Sequence, residues 1–119
     1  MSHENRKLLA SAARTTAQTL GPFPNTAKGC HLVIDVTSIT STPILTPTIQ
    51  GVDAYGVTYT VLTGAAISAT GTNVLKVFPG ASPVANAVAN DYLPPDWKVS
   101  IAVADADSAT YSVSVTLFD

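Results

Sequence analysis

The chain has 119 residues, of which 46% are apolar and only 12% charged, with a formal charge of −2 and a single cysteine. That length allows one domain with a real core, and one cysteine excludes an intrachain disulfide or a cysteine zinc cluster. No apolar run approaches the roughly 20 residues of a membrane helix, and Leu8-Leu9-Ala10 is too short for a secretory leader, so use without Sec export is expected.

Charge is unevenly placed. Arg6, Lys7, Arg14 and Lys28 stand in the first 28 residues against Glu4 alone, whereas the rest has Lys76 and Lys98 against seven aspartates. Residues 1–13 have helix-compatible composition but little apolar payload, so alone they would fray. Arg14-Thr15-Thr16-Ala17-Gln18-Thr19-Leu20 is compatible with a first edge strand, and Gly21-Pro22-Phe23-Pro24-Asn25 reads as a loop or hinge. The expected division is therefore an N-terminal arm and hinge at 1–28 and a body at 29–119. Within the arm, Arg6, Lys7, Leu8, Leu9 and Arg14 are the candidate interface residues, suited to an acidic neighbouring surface. Three scattered charges without interleaved aromatics make no nucleic-acid groove.

In the body, residues 30–39 form a strand with Leu32, Ile34 and Val36 on one side; both faces are apolar at its centre, which predicts a central position. Residues 44–52 follow, where Pro47 predicts an edge or a bulge. Asp53-Ala54-Tyr55-Gly56 is a hairpin connection into residues 57–62. Residues 64–71 are a short strand or a loop, and 72–78 a strand. Val84-Ala85-Asn86-Ala87-Val88-Ala89 predicts one or two helical turns, with Ser82 as N-cap and Pro83 at the first helical position. Finally, 97–103 and 111–117 alternate strictly, which predicts a hairpin with Trp97, Val99, Ile101 and Val103 on the same face as Tyr111, Val113, Val115 and Leu117. About seven strands with turn signals every eight to twelve residues predict an all-β fold, an antiparallel β-sandwich of jelly-roll or immunoglobulin-like type carrying an extended N-terminal arm. The expected core is Leu32, Ile34, Val36, Trp97, Val99, Ile101, Val113 and Val115.

Few residues suggest chemistry. Cys30 and His31 are adjacent on a strand and so point to opposite faces, which does not suit a nucleophile and its base. Asp105-Ala106-Asp107 resembles half of a calcium loop but lacks the glycine and the distal glutamate, and aspartates at such a tip commonly cap their own turn. Asp91 and Asp96 flank a proline-rich loop without a pocket-forming partner. Tyr55, Tyr59 and Trp97 would make a sugar platform if exposed, although Trp97 opens an apolar face and belongs in the core. No enzyme, cofactor or metal site is expected, and no catalytic residue is assigned.

Five stretches in succession carry a resemblance: Gly29-Cys30-His31-Leu32-Val33-Ile34-Asp35-Val36-Thr37, Thr48-Ile49-Gln50-Gly51-Val52-Asp53, Ala69-Thr70-Gly71-Thr72-Asn73-Val74-Leu75-Lys76-Val77-Phe78-Pro79-Gly80, Ala89-Asn90-Asp91-Tyr92-Leu93-Pro94 and Asp107-Ser108-Ala109-Thr110-Tyr111-Ser112-Val113. They resemble a family of small structural proteins encoded by tailed bacteriophages and prophages, over nearly everything from residue 10 onward. The resemblance implies a virion protein assembled in the host cytoplasm, with no catalytic motif. Within that class the expected role is a head decoration or cement protein that binds the outer capsid and stabilises contacts between major capsid subunits. Its partners would be the major capsid protein and copies of itself, as a homo-oligomer in the particle, with neither nucleic acid nor membrane. Two alternatives stay open: a tail or head-to-tail connector component, and a carbohydrate-binding adhesion module.

Overall fold

The computed structural model describes residues 3–119. Met1 and Ser2 of the expected arm lie outside the described residues. The strands run β1 (Glu4–Arg14), β2 (Gln18–Pro24), β3 (Gly29–Ile39), β4 (Leu45–Val52), β5 (Thr58–Thr63), β6 (Gly71–Val77), β7 (Val88–Ala89), β8 (Asp96–Val103) and β9 (Ala109–Phe118). They make a five-stranded sheet of order β1-β9-β3-β6-β7 and a four-stranded sheet of order β2-β8-β4-β5. The antiparallel pairs β1–β9, β2–β8, β3–β6 and β4–β5 are nested in sequence. The topology is that of one long hairpin, rolled so that alternate pairs fall in opposite sheets, which makes this sandwich a jelly roll rather than an immunoglobulin-like fold. The tip of the long hairpin is Asp53-Ala54-Tyr55-Gly56. There the Asp53 carboxylate accepts from the backbone N–H groups of Tyr55 (2.8 Å) and Val57 (2.9 Å), and Gly56 supplies the positive φ that the turn requires.

The core lies between the two sheets, because strict alternation gives every long strand one apolar face. Leu32, Ile34 and Val36 of β3 and Tyr111, Val113 and Val115 of β9 face Trp97, Val99 and Ile101 of β8 and Leu45 and Ile49 of β4, all essentially without solvent contact.

The structure corrects or narrows the expected layout in five places. The alternating runs that close the chain do not pair with each other: β8 belongs to the four-stranded sheet and β9 to the five-stranded one, so residues 104–108 cross from sheet to sheet. Their apolar faces meet across the core instead of lying side by side, an arrangement that alternation permits equally well.

Nor are the first 28 residues an extended arm beside a body. β1 hydrogen-bonds to β9 and β2 to β8, and the expected hinge carries β2 through Pro24, with a cis peptide at Gly21–Pro22. The Asn25 side chain ties the end of that segment to the loop before β8, donating to the carbonyls of Ala27 (2.8 Å), Leu93 (3.3 Å) and Pro94 (3.3 Å). The physical reason is that β9 and β8 each need a second neighbour for their backbone groups.

β4 is an interior strand rather than an edge, and of the two expectations for this stretch it is the bulge that occurs, where its pairing with β5 shifts register between Ile49 and Gln50. The carbonyl of Pro47 accepts from Gly64 N–H (2.8 Å), past the end of β5, and in a strand the nitrogen faces the same side as the carbonyl. The missing proline donor therefore falls where the β4–β5 ladder has stopped.

Residues 84–88 form a tight turn closed by Val88 N–H to Val84 carbonyl (2.9 Å) and Val84 N–H to Val88 carbonyl (3.0 Å), not helical turns. The segment at 64–71 makes a single bridge, Leu45 with Ile67, before β6 begins.

Candidate interaction surface

β1 carries all five residues expected to bind a partner, and the structure engages most of them internally. Opposite the inward-facing residues of β9 stand Glu4, Arg6, Leu9, Ala12 and Arg14, with bulges between Lys7 and Leu9 and between Leu9 and Ala12. The first bulge lets Leu8 and Leu9 both pack on the core cluster. The second leaves carbonyls out of the ladder, and Arg14 folds back to them. Its guanidinium donates to the carbonyls of Ala10, Ala12 (3.2 Å) and Tyr111 (2.6 Å), and sits 5.0 Å from the centre of the Tyr111 ring. Three fixed donors on one plane suit such a cluster of acceptors. Arg6 pairs with Glu4 at 2.8 Å on the surface, and that hydrogen bond lowers the Glu4 carboxyl below its ordinary value. Lys7 differs: it stands opposite Ser114 on the outward face of the five-stranded sheet, beside a shallow cavity of about 360 Å³ formed with Leu9, Ala10, Ser11 and Ser112.

That outward face is the broadest surface that the strands build. Residues 31, 33 and 35 of β3 point away from the buried 30, 32, 34 and 36, and the register sets them in rows. The first row is Asn5, Thr116, His31 and Lys76; the second is Lys7, Ser114, Val33 and Val74; the third holds Ser112, Asp35 and Thr72. Small hydroxyls and two valines share it with Lys7, Lys76 and Asp35, and Val74 is exposed at 37%. Thr72 donates to the Asp35 carboxylate at 3.3 Å. At the lower end Phe118 meets His31 edge-on (ring centres 4.7 Å) and His3 (5.3 Å), beside an apolar crevice of about 290 Å³ that Cys30 and Phe78 also line. Partial burial, then the charge of Lys76, pushes the His31 imidazole below its ordinary pKa, favouring the neutral ring. Cys30 faces the core, and burial pushes its thiol up to about 12.

The outward face of the four-stranded sheet is similar in kind. Thr19, Ser100, Thr48 and Thr63 form one row, and Lys98, Gln50 and Thr60 the next.

The remaining candidates do not converge. Among the described residues no group of three His, Cys, Asp or Glu side chains is placed to hold a metal ion. Asp105 accepts from Asp107 N–H (3.1 Å), which is turn chemistry, and Asp107 accepts from Thr42 N–H (3.1 Å), which ties its loop to the one after β3. Asp91 accepts from the neighbouring Tyr92 N–H at 2.7 Å. Trp97 is buried against Phe23 (ring centres 5.2 Å), so it does not join Tyr55, 94% exposed, in a surface platform. The sequence marks the sheet faces only as polar positions, not as ordered surfaces. Their signal lay in the polar residues alternating with the core, but only the strand register turns that alternation into rows.

No family model and no curated protein matches this chain. Among solved structures it is similar to a chain of infectious bursal disease virus, Gx strain, at 16% identity and a TM-score of 0.33, covering 97% of this chain and 30% of that one. The Gt strain gives 16% identity and a TM-score of 0.31, covering 98% of this chain and 30% of that one. The chain thus spans under a third of the length of either, a likeness too loose to carry an argument about its role.

Proposed function

We propose that this chain is a structural protein of a virus particle, and specifically a decoration or cement protein on the head of a tailed bacteriophage. The observation that carries the reading is the jelly roll with two broad outward faces rich in Ser and Thr. Jelly rolls recur in viral capsid domains, an analogy of fold that supports a role without assigning one. The sequence resemblance to tailed-phage structural proteins points the same way. In this reading a sheet face or the β1 edge lies on the major capsid protein, rather than a free arm.

Immunogold labelling of purified virions tests it. Label over the head supports decoration, label at the neck or tail moves the assignment to a connector or tube, and absence from particles overturns the reading.

Tyr55 favours a second reading. It stands almost fully exposed at the tip of the long hairpin, with Val57 and Tyr59 also exposed nearby, and lectins too are built on jelly rolls. A carbohydrate-binding module requires glycan affinity that Tyr55→Ala abolishes in a folded protein; no binding across a glycan array removes this alternative.

A further inference from the structure

We propose that the free edge of β6, residues 71–75, takes up an extended segment of a partner polypeptide as an added strand, with an aliphatic side chain of that segment entering between the two sheets. β6 pairs with β3 over its whole length without a register shift, but β7 covers its other side only at Lys76 and Val77. There Lys76 N–H donates to the Ala87 carbonyl (2.9 Å) and Phe78 N–H to the Ala89 carbonyl (3.1 Å), both away from β3. Alternate residues of a strand turn their backbone groups to the same side, so the N–H and C=O of Thr72 and Val74 also point out along this edge. Among the described residues no strand meets them. Backbone donors and acceptors in line, continuing a ladder that β7 has begun, are a template for one kind of occupant, another polypeptide strand.

The space beside the edge suits that occupant. A cavity of about 240 Å³ is lined by the four consecutive residues Thr72 to Leu75, which alternate between the two faces of the sheet, so it follows the edge and does not lie over one face. Leu75, Pro47 and Ile67, all buried, form its inner side, and no charged residue lines it. An aliphatic side chain fits there, whereas a charged one would lose its water without gaining a partner. Asn73 and Asn86 stand at the same cavity with their amide nitrogens engaged by the carbonyls of Ile34 (3.4 Å) and Thr63 (3.0 Å), which leaves their side-chain oxygens to accept from an incoming backbone. The opposite edge of this sheet offers no such run, since two bulges interrupt β1 and Arg14 already donates to its Ala10 and Ala12 carbonyls. A second copy of this chain fits less well. Pairing β6 with β6 antiparallel about Asn73 would bring residues 69 and 70 of one copy to the places beside Lys76 and Val77 that β7 holds.

The inference goes beyond the virion reading and does not rest on it. Amide NMR of the wild-type chain, titrated to about 1 mM with the blocked peptide acetyl-Ser-Thr-Val-Thr-Val-Ser-amide, the weak end of specific affinity, tests it. The Thr72 and Val74 amides should shift saturably and exchange their hydrogens more slowly, while those of β1 and β5 stay as they were. Val74→Pro removes an outward N–H and leaves the ladder to β3 intact, and Ala65→Phe fills the cavity from an exposed residue on its wall. Each should weaken binding roughly tenfold in a chain whose remaining amide spectrum shows it folded. No shift through the titration, shifts as large at β1 or β5 as at β6, or binding that either variant leaves intact would overturn the proposal. So would a wild-type dimer that Val74→Pro dissolves, because the edge would then belong to a second copy. Failed labelling of particles leaves the peptide result standing, and failed peptide binding leaves the labelling untouched.

Discussion

The phenol end of Tyr59 occupies the space that a Cβ at Gly51 would take; the two residues are cross-strand partners on the core side of β4 and β5. On the other side of Gly51 its partner is Trp97, itself paired with Phe23, so one row across the sheet reads Phe23, Trp97, Gly51, Tyr59. A glycine between two large rings leaves room for the Tyr59 ring to lie across β4, although the ring stays 47% exposed.

Gly51→Ala should therefore destabilise the fold by about 1–2 kcal/mol, because the ring must move off its seat. In a Tyr59→Ala background the same change should be neutral or stabilising by roughly 0.5 kcal/mol, since alanine is the better strand residue once the space is empty. Urea unfolding of the four proteins of this cycle measures the coupling. Equal effects in both backgrounds would show that the ring is not the obstacle.

Trp97→Ala should cost about 3–5 kcal/mol and leave little folded protein, since the ring is 1% exposed and packs on Phe23. Its Nε1 has no hydrogen-bond partner. Trp97→Phe, which removes that buried donor and keeps an aromatic body, should cost less than half as much. Thermal melts decide it, and a well-folded Ala variant would contradict the core position.

Arg14→Ala should loosen β1 more than the rest of the fold. It strips donors from the carbonyls of Ala10, Ala12 and Tyr111 together with the ring contact, a loss of about 1–2 kcal/mol. Hydrogen exchange should then accelerate over residues 4–14 and stay unchanged in β3. Arg14→Lys should not rescue it, for an ammonium cannot reach separate acceptors along one plane. Uniform acceleration across the chain would refute a local role.

Deleting residues 1–14 should expose the edge of β9 and remove Leu8 and Leu9 from the core cluster. The expected product is self-associating and of lowered melting temperature, because a bare edge strand recruits other chains. Light scattering against temperature follows it; a truncated chain that melts like the parent would restore the view of these residues as a dispensable arm.

The Cys30 thiol is raised by burial from its ordinary 9.0 to about 12, so the folded state holds its proton where the unfolded state releases it. Its contribution is fully present below pH 9 and is lost as the pH climbs toward 12, by about 1.4 kcal/mol per unit within that window. Comparing unfolding of the parent with Cys30→Ala at pH 8, 9 and 10 isolates the thiol from other titrating groups. A difference independent of pH would place the thiol in solvent contact.

Alternation along 30–36, 97–103 and 111–117 made the strands and their inward residues legible from the sequence, since the pleat forces neighbours to opposite faces whatever the partner strand. β1 was illegible for a specific reason. Its positions opposite the inward face of β9 are 4, 6, 9, 12 and 14, so two bulges break the period of two, and with Glu4, Arg6 and Arg14 among them no apolar alternation is left to read. Alternation likewise could not separate β8 paired with β9 from β8 facing β9, because both bury the same side chains. Pairing rests on backbone hydrogen bonds between distant residues, and the outward rows centred on Val33 exist only once those bonds set the register. The apolar pattern along the chain thus determined which side of each strand is buried. The tertiary structure alone decided which strands are neighbours, and with them every surface that a partner could meet.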